Sequence, residues 1–311
     1  MQLRVTRTEI LADGIHGFEF RRPDGSDLPE FTAGSHVSVT IPGGLIRKYS
    51  LCNDPAERDR YEIAVKSDPQ GGGGSISMTG RVKVGDAIEV SEPVSNFALS
   101  ERAASHTFIV GGIGITPIMS MIRHLKSSGG KPFRLYYCTR SPQATAFRDE
   151  LSAPPLGGVV RIHHDGGNPD NALDFWPILE QPKGHVYCCG PRGLMEAVRD
   201  MTGHWSPAAI HFEAFTEPER SKPEDRPFRI RLARTGTVLD VPVGATILEV
   251  LRAAGHDAPS SCESGTCGTC KTRLLSGKAD HRDLVLTEAE RDSHIMICVS
   301  RASTPELTID R

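Results

Sequence analysis

Over the first hundred positions, apolar and polar residues alternate in short runs. Val37-Ser38-Val39-Thr40-Ile41 is the clearest run, and residues 61–66 and 87–90 repeat the pattern. A period of two puts every second side chain on one face of a strand. Gly, Pro and Asp separate the runs, so residues 1–102 are expected to form a small antiparallel β-barrel. Near residue 105 the pattern changes. Residues 107–110 read as an apolar strand ending in Gly111-Gly112. Ile118, Met121, Ile122 and Leu125 then recur at helical spacing. Thr116 is a candidate cap for that helix, and Pro117 suits its first turn. Further strands are expected at 134–138, 159–163, 186–189 and 210–215, and helices at 144–151 and 194–201. Alternating strands and helices imply an α/β domain on a parallel sheet, assigned to residues 103–218. Residues 216–227 hold three prolines and seven charges and no core-forming residue. That composition predicts an extended, solvated linker, with its body at 219–227. Beyond it, 228–232 and 237–241 read as a hairpin and 247–254 as a helix. A cysteine-bearing loop follows, which makes 228–311 a small α+β domain.

Composition narrows the class. A chain of 311 residues suggests two or three domains. With 38% hydrophobic and 24% charged residues it is neither disordered nor collagen-like. The net charge of −3 advertises no nucleic-acid partner. No apolar run approaches the ~18–20 residues of a membrane span. Arg4 stands where a signal peptide needs an apolar core. The expectation is a cytoplasmic, monomeric protein with no membrane contact.

Cysteine changes the picture most. There are eight. Cys52, Cys138, Cys188 and Cys189 sit in or beside apolar runs and read as small buried hydrophobes. Cys262, Cys267 and Cys270 have the spacing C-x4-C-x2-C, and Cys298 follows after 27 intervening residues. This is the plant-type ligand spacing of a 2Fe–2S cluster, in which each iron takes two thiolates. Zinc sites usually pair cysteines as C-x2-C twice, and only one such pair is present. Glycines and hydroxyl residues between the ligands allow amide and hydroxyl donors to reach the sulfurs.

Residues 228–311 therefore resemble a plant-type ferredoxin domain of β-grasp fold. A ferredoxin placed behind a barrel and a nucleotide domain resembles the phthalate dioxygenase reductase family. That resemblance covers essentially the whole chain. Members are reductase components of Rieske non-haem iron oxygenases, and they include the vanillate O-demethylase reductases. The resemblance implies electron flow from NADH through FMN and the 2Fe–2S cluster to a Rieske-type oxygenase. A reductase serving another acceptor, such as a cytochrome P450, and a non-enzymatic redox sensor are the rival readings.

Arg47-Lys48-Tyr49-Ser50-Leu51 is similar to the R-x-Y-S motif of the ferredoxin-reductase superfamily. In a strand, Arg47 and Tyr49 share one face. The resemblance puts Tyr49 against the isoalloxazine ring, Arg47 on phosphate and Ser50 near flavin N5. It makes Ala64, Val65 and Lys66 the strand lining the flavin, through backbone atoms. Gly71–Gly74 followed by Ser75 at a helix start reads either as an amide-lined phosphate site or as a flexible loop tip. In this context Gly74 and Ser75 are assigned to the phosphate. The resemblance implies FMN, which the family typically carries, with an arginine closing on its terminal phosphate.

Gly111-Gly112-Ile113-Gly114-Ile115-Thr116-Pro117 follows a strand and opens a helix, the context of a pyrophosphate site. It matches the superfamily's G-G-x-G-x-T-P motif, which implies that Thr116 lies near the nicotinamide. Cys189-Gly190-Pro191 is similar to the C-G-P turn, which implies the same for Cys189. Neither Cys189 nor its neighbour Cys188 needs to be a nucleophile, since hydride transfer needs none. Cys188 reads as core. Glu213 and Phe215 match the family's terminal segment, in which the aromatic ring covers the flavin. The second strand ends in Thr139-Arg140-Ser141. Physically, Arg140 suits a 2′-phosphate and NADPH, whereas the resemblance favours NADH. Asp165 is either an adenosine contact or a turn residue. His163-His164 and His204 with His211 lack an acidic or Cys partner for a metal set. Ser50 and Ser75 lack a His/Asp pattern for hydrolysis.

Overall fold

The structure is a computed structural model that describes residues 1–69, 73–215 and 222–311. It contains two compact units. The first comprises Met1–Leu194 with Ala208–His211, and the second Met195–Pro207 with Phe212–Arg311. No helix among the described residues is long and apolar enough to cross a membrane.

The first unit opens with a curled antiparallel sheet. Its strands lie in the order Ile46–Ser50, Ser35–Thr40, Ala87–Val90, Gln2–Ala12, Ile15–Arg21 and Tyr61–Lys66, with Val94–Ser95 also paired to Ser35–Thr40. The two edges meet in one antiparallel bridge, Leu51 with Ile63, next to the Cys52 N–H bond to Glu62 O at 2.8 Å. Leu3, Val5, Phe20, Val37, Val39 and Tyr61 are fully buried inside the curl.

The second sheet has the order Val160–His164, Phe133–Thr139, His106–Gly111, His185–Cys189 and Ile210–Glu213. In chain order that is 3-2-1-4-5. The direction of winding reverses between His106–Gly111 and His185–Cys189, which pair in parallel. Ligands of such sheets bind outside the carboxyl ends of the strands at that reversal. Helix Ile115–Ser127 covers this sheet and also packs on the curled one. Ala12, Ile15, Ala33, Cys52, Ala64 and Phe97 share one apolar cluster with Ile115, Ile118, Met119, Met121 and Ile122.

Two local expectations are corrected. Thr116 does not cap its helix. The turn Gly112–Gly114 runs directly into the helix, Gly114 is the cap residue, and Thr116 Oγ1 donates to Ile113 O at 3.1 Å. The helix expected at 144–151 is a short turn Pro142–Ala144 followed by Arg148–Ser152. Phe147, at φ 57°, stands between them in the left-handed region that breaks a helix.

In the second unit a mixed sheet has the order Val238–Val241, Phe228–Leu232, Glu306–Ile309, Lys271–Ser276 and His294–Met296. Helix Ile247–Ala253 lays Ile247, Leu248 and Leu251 onto it. Thr246 and Glu249 close a reciprocal capping box at the helix start. Of the linker, 216–221 lie outside the described residues. Asp225 is not solvated: its carboxylate is 4% exposed and bonds the Arg282 guanidinium, with Arg301 Nε at 3.5 Å.

Of three histidines in the first unit, His36 and His106 are buried and His211 is half-buried. Desolvation pushes each down to about 4, helped by Lys48 at His36, by His185 and Lys131 at His106, and by His185 and His106 at His211. Between about pH 6.5 and about 4 the unfolded chain takes up protons that the folded chain refuses. Stability is therefore full above that window and falls as pH drops through it. Thermal melts should show Tm decreasing from about pH 7.5 to about pH 5, with a shallower decrease in His106→Leu. An equal decrease in that variant would remove His106 from the account.

Candidate functional site

The register of Ser35–Thr40 with Ile46–Ser50 sets Arg47 opposite Val39 and Tyr49 opposite Val37. Arg47 and Tyr49 are half-buried, while Ile46 and Lys48 between them are exposed. The two candidate flavin contacts thus share one face. Burial pushes the Tyr49 hydroxyl up, against the opposing field of Arg47. Ser50 is 4% exposed, and its Oγ has no partner among the described residues. An orphaned buried hydroxyl is costly unless a ligand completes it. Leu51 is fully buried, and Ala64 and Val65 point into the core, so these three offer backbone rather than side chain. Lys66 is exposed.

The glycine segment meets the arginine. Gly74 begins helix Gly74–Arg81, and a Cβ there would stand 2.9 Å from Arg47 Nε and 3.2 Å from Ile41 Cδ1. A side chain at this position would push the guanidinium aside. Ser75 Oγ accepts from Asp68 N–H at 2.9 Å and ties off the loop. Gly71 and Gly72 lie outside the described residues. A cation beside a helix start, next to an unpaired hydroxyl, fits the phosphate and ring of a flavin nucleotide.

At the reversal of the parallel sheet two loops touch backbone to backbone. A Cβ on Gly114 would stand 2.2 Å from Cys189 O, and one on Gly190 would stand 2.8 Å from Gly111 N. One on Gly111 would strike Pro191 Cδ at 2.5 Å. The structure therefore joins Gly111, Gly114, Cys189, Gly190 and Pro191. Gly112, with φ 53°, faces open space. Thr116 and Cys189 are both buried. A backbone turn at the start of a 13-residue helix fits a pyrophosphate.

Thr139 is buried, and its Oγ1 lies 2.8 Å from Thr145 Oγ1 and 2.9 Å from His164 Nδ1. Arg140 is exposed, and a Cβ on Gly167 would stand 3.8 Å from its Cδ. Asp165 Oδ1 accepts from Gly167 N–H at 2.7 Å, which is the turn role. His164 belongs to this group, whereas the sequence alone offers it only as a metal ligand without partners. Its signal is its place at the carboxyl end of a parallel strand, opposite Thr139. His163 is engaged with Asn171 O at 2.7 Å, and His211 with His185 Nδ1 at 2.9 Å.

In the second unit, Lys271 pairs with Met296 across two antiparallel strands. That register brings together Cys270, just before one strand, and Cys298, just after the other. All four cysteines are free thiols, and Cys270 with Cys298, like Cys262 with Cys267, form hydrogen-bonded pairs. The hydrogen bond with Cys267 is the main reason the Cys262 thiol is pushed down. Ser264 N–H donates to Cys262 Sγ at 3.4 Å and Cys262 N–H to Cys267 Sγ at 3.5 Å. Among the described residues no three His, Cys, Asp or Glu side chains gather as a single metal ion would require. Two thiol pairs with amide donors suit the two irons of a 2Fe–2S cluster. Glu213, in the same unit, is pushed up to about 8 by burial first and then by Cys262. Phe215 is 44% exposed and so is not a core residue.

Three protein-family models match the chain. They are the oxidoreductase FAD-binding domain over residues 2–99, the oxidoreductase NAD-binding domain over 108–154 and the 2Fe-2S iron-sulfur cluster binding domain over 230–303. A phthalate 4,5-dioxygenase oxygenase reductase subunit from Pseudomonas putida is 55% identical over 308 residues, 98% of this chain and 95% of that one. Among solved structures, phthalate dioxygenase reductase is 51% identical with a TM-score of 0.72, covering 100% of this chain and 98% of that one. It is described as a modular structure for electron transfer from pyridine nucleotides to a 2Fe–2S centre. An intact type IV self-sufficient cytochrome P450 monooxygenase is 35% identical with a TM-score of 0.71, covering 100% of this chain and 41% of that one. The two crevices and the paired thiols thus lie in a chain that belongs, over its whole length, to the phthalate dioxygenase reductase family of flavin-, NAD- and 2Fe–2S-binding oxidoreductases.

Proposed function

We propose that the protein is the NADH-dependent reductase component of a Rieske non-haem iron oxygenase, of the aromatic dioxygenase or O-demethylase type. The observation that carries the reading is the presence in one chain of the half-buried Arg47–Tyr49 face beside an unpartnered Ser50 hydroxyl, a glycine turn opening a helix on a parallel sheet, and two thiol pairs. When bound, nicotinamide supplies a hydride, the flavin splits its two electrons, and the cluster carries them one at a time. In the proposed division, residues 1–102 hold the flavin, 103–218 the coenzyme and 228–311 the cluster, with 219–227 between them.

The residues have separate tasks. Arg47, Gly74 and Ser75 hold a terminal phosphate, which favours FMN. Tyr49 packs on the ring, and Ser50 Oγ gains the partner it lacks by bonding near N5. Leu51, Ala64, Val65 and Lys66 border the ring edge through the backbone. Gly111, Gly112, Gly114, Gly190 and Pro191 shape the pyrophosphate turn. Thr116 and Cys189 flank the nicotinamide. Thr139 and Arg140 meet the adenosine half, and NADH is the proposed coenzyme. Phe215 shields the flavin until nicotinamide replaces it. Cys262, Cys267, Cys270 and Cys298 hold the irons.

A second reading, delivery to a cytochrome P450, rests on the likeness to the self-sufficient monooxygenase. Mixing the NADH-reduced protein with a Rieske oxygenase and with a P450 separates the two. Fast reduction of the P450 alone would replace the first reading with the second.

Heat release should yield FMN; FAD in the supernatant would overturn the phosphate assignment. Cys298→Ser should lose the cluster spectrum yet keep NADH-driven flavin reduction. An intact cluster in that variant would place the fourth ligand elsewhere. In Phe215→Ala, oxidised coenzyme should bind about 2- to 12-fold more tightly, since one stacking contact of roughly 0.5–1.5 kcal/mol no longer has to break first. A titration followed by the flavin spectrum reads the change, and equal or weaker binding would remove Phe215 from the flavin.

A further inference from the structure

Arg123 lies on the far side of helix Ile115–Ser127 from the glycine turn, and no motif includes it. Its guanidinium reaches three places at once. Nη1 donates to Cys52 O at 3.0 Å and to Glu62 Oε2 at 3.0 Å. Nε and Nη2 fork onto the Glu150 carboxylate at 3.0 and 2.7 Å. The cation also lies over the Phe147 ring, 5.6 Å from its centroid. Its side chain is only 21% exposed.

These acceptors have special addresses. Cys52 stands two residues after Ser50, and Glu62 two residues before Ala64. They flank the single bridge where the curled sheet closes. Glu62 is itself braced by Arg60 Nε at 3.0 Å, and its backbone N–H by Asn53 Oδ1 at 3.0 Å. At the other end, Thr116 precedes Arg123 by seven residues of continuous helix, about 10 Å of rigid rod. Arg123 thus ties the strands of the flavin crevice to the helix that begins at the coenzyme crevice.

We propose that Arg123 is a positioning residue for hydride transfer: by clamping Cys52 O and Glu62 to the coenzyme-binding helix it fixes the separation between nicotinamide and flavin. The proposal rests on the reading of the two crevices given above. Hydride transfer tolerates little error, and a displacement of about 1 Å can cost about 100-fold in rate. Arginine suits the task because its planar fork fixes direction as well as distance, which lysine cannot do.

The test is stopped-flow reduction of the flavin by NADH in the full-length protein, with limiting rate and half-saturating NADH measured separately. Arg123→Met should lower the limiting rate about 10- to 100-fold and move the half-saturating concentration less than about threefold. Arg123→Lys keeps the charge but not the fork, and should recover thermal stability while leaving the rate low. If Arg123→Met does not retain flavin, Arg123→Lys and Glu62→Gln carry the test. A limiting rate within about twofold of the parent in every variant that retains flavin overturns the clamp. So does a loss confined to coenzyme affinity. An unaltered protein whose flavin neither NADH nor NADPH reduces would overturn the reading of the crevices themselves, and the clamp with it.

Discussion

The burial of the first two turns of one helix on every side governs the first unit: residues 115–122 are all buried, and only the last turn reaches solvent. Nine of the thirteen residues of Ile115–Ser127 are buried. A surface helix of a globular domain hides one stripe; a helix hidden all round has a neighbour on each face. Here the neighbours are the parallel sheet and the curled antiparallel sheet, which meet in one apolar cluster. The glycine turn at one end of the helix and the Arg123 contacts on its far side therefore belong to a single packed body. Core packing is dense and resists small displacements, so the two sheets keep a fixed spacing across the shared helix.

Much of this was legible in the sequence. Alternation at 61–66 and 87–90 coincides with strands Tyr61–Lys66 and Ala87–Val90: Ala87–Val90 has one wet and one dry face, and Tyr61, Ile63 and Val65 share the inner face of theirs while Ala64 packs in the neighbouring cluster. The order of strands and helices after residue 105 announced a parallel sheet, and the cysteine spacing announced paired thiols. Local chemistry was legible wherever a turn requires particular residues, as with Gly114 against Cys189.

What was not legible has identifiable causes. The two longest strands of the curled sheet, Gln2–Ala12 and Ile15–Arg21, lose their alternation at irregularities between Val5 and Arg7 and between Ile10 and Ala12. The break at Phe147 carries no glycine or proline to mark it. Arg123 reads as an ordinary polar position on an amphipathic helix, since Glu62 lies sixty-one residues away and leaves no local signature. His164 becomes meaningful only when its strand is set beside Thr139. Tertiary partners distant in the chain are what periodicity cannot report.

The grip on Asp225 has a consequence for where the iron–sulfur module starts. Arg282 and Arg301, at 4% and 5% exposure, face the carboxylates of Asp225 and Asp280, so two buried cations are matched by two anions. A ferredoxin fragment cut at the first sheet strand, Phe228, would keep both arginines and discard one of the two carboxylates. It would enclose an unbalanced positive charge, the kind of loss that destabilises a domain far more than a missing surface pair. By charge neutrality rather than by secondary structure, the self-sufficient module reaches back at least to Asp225, into a stretch that looks like mere connection.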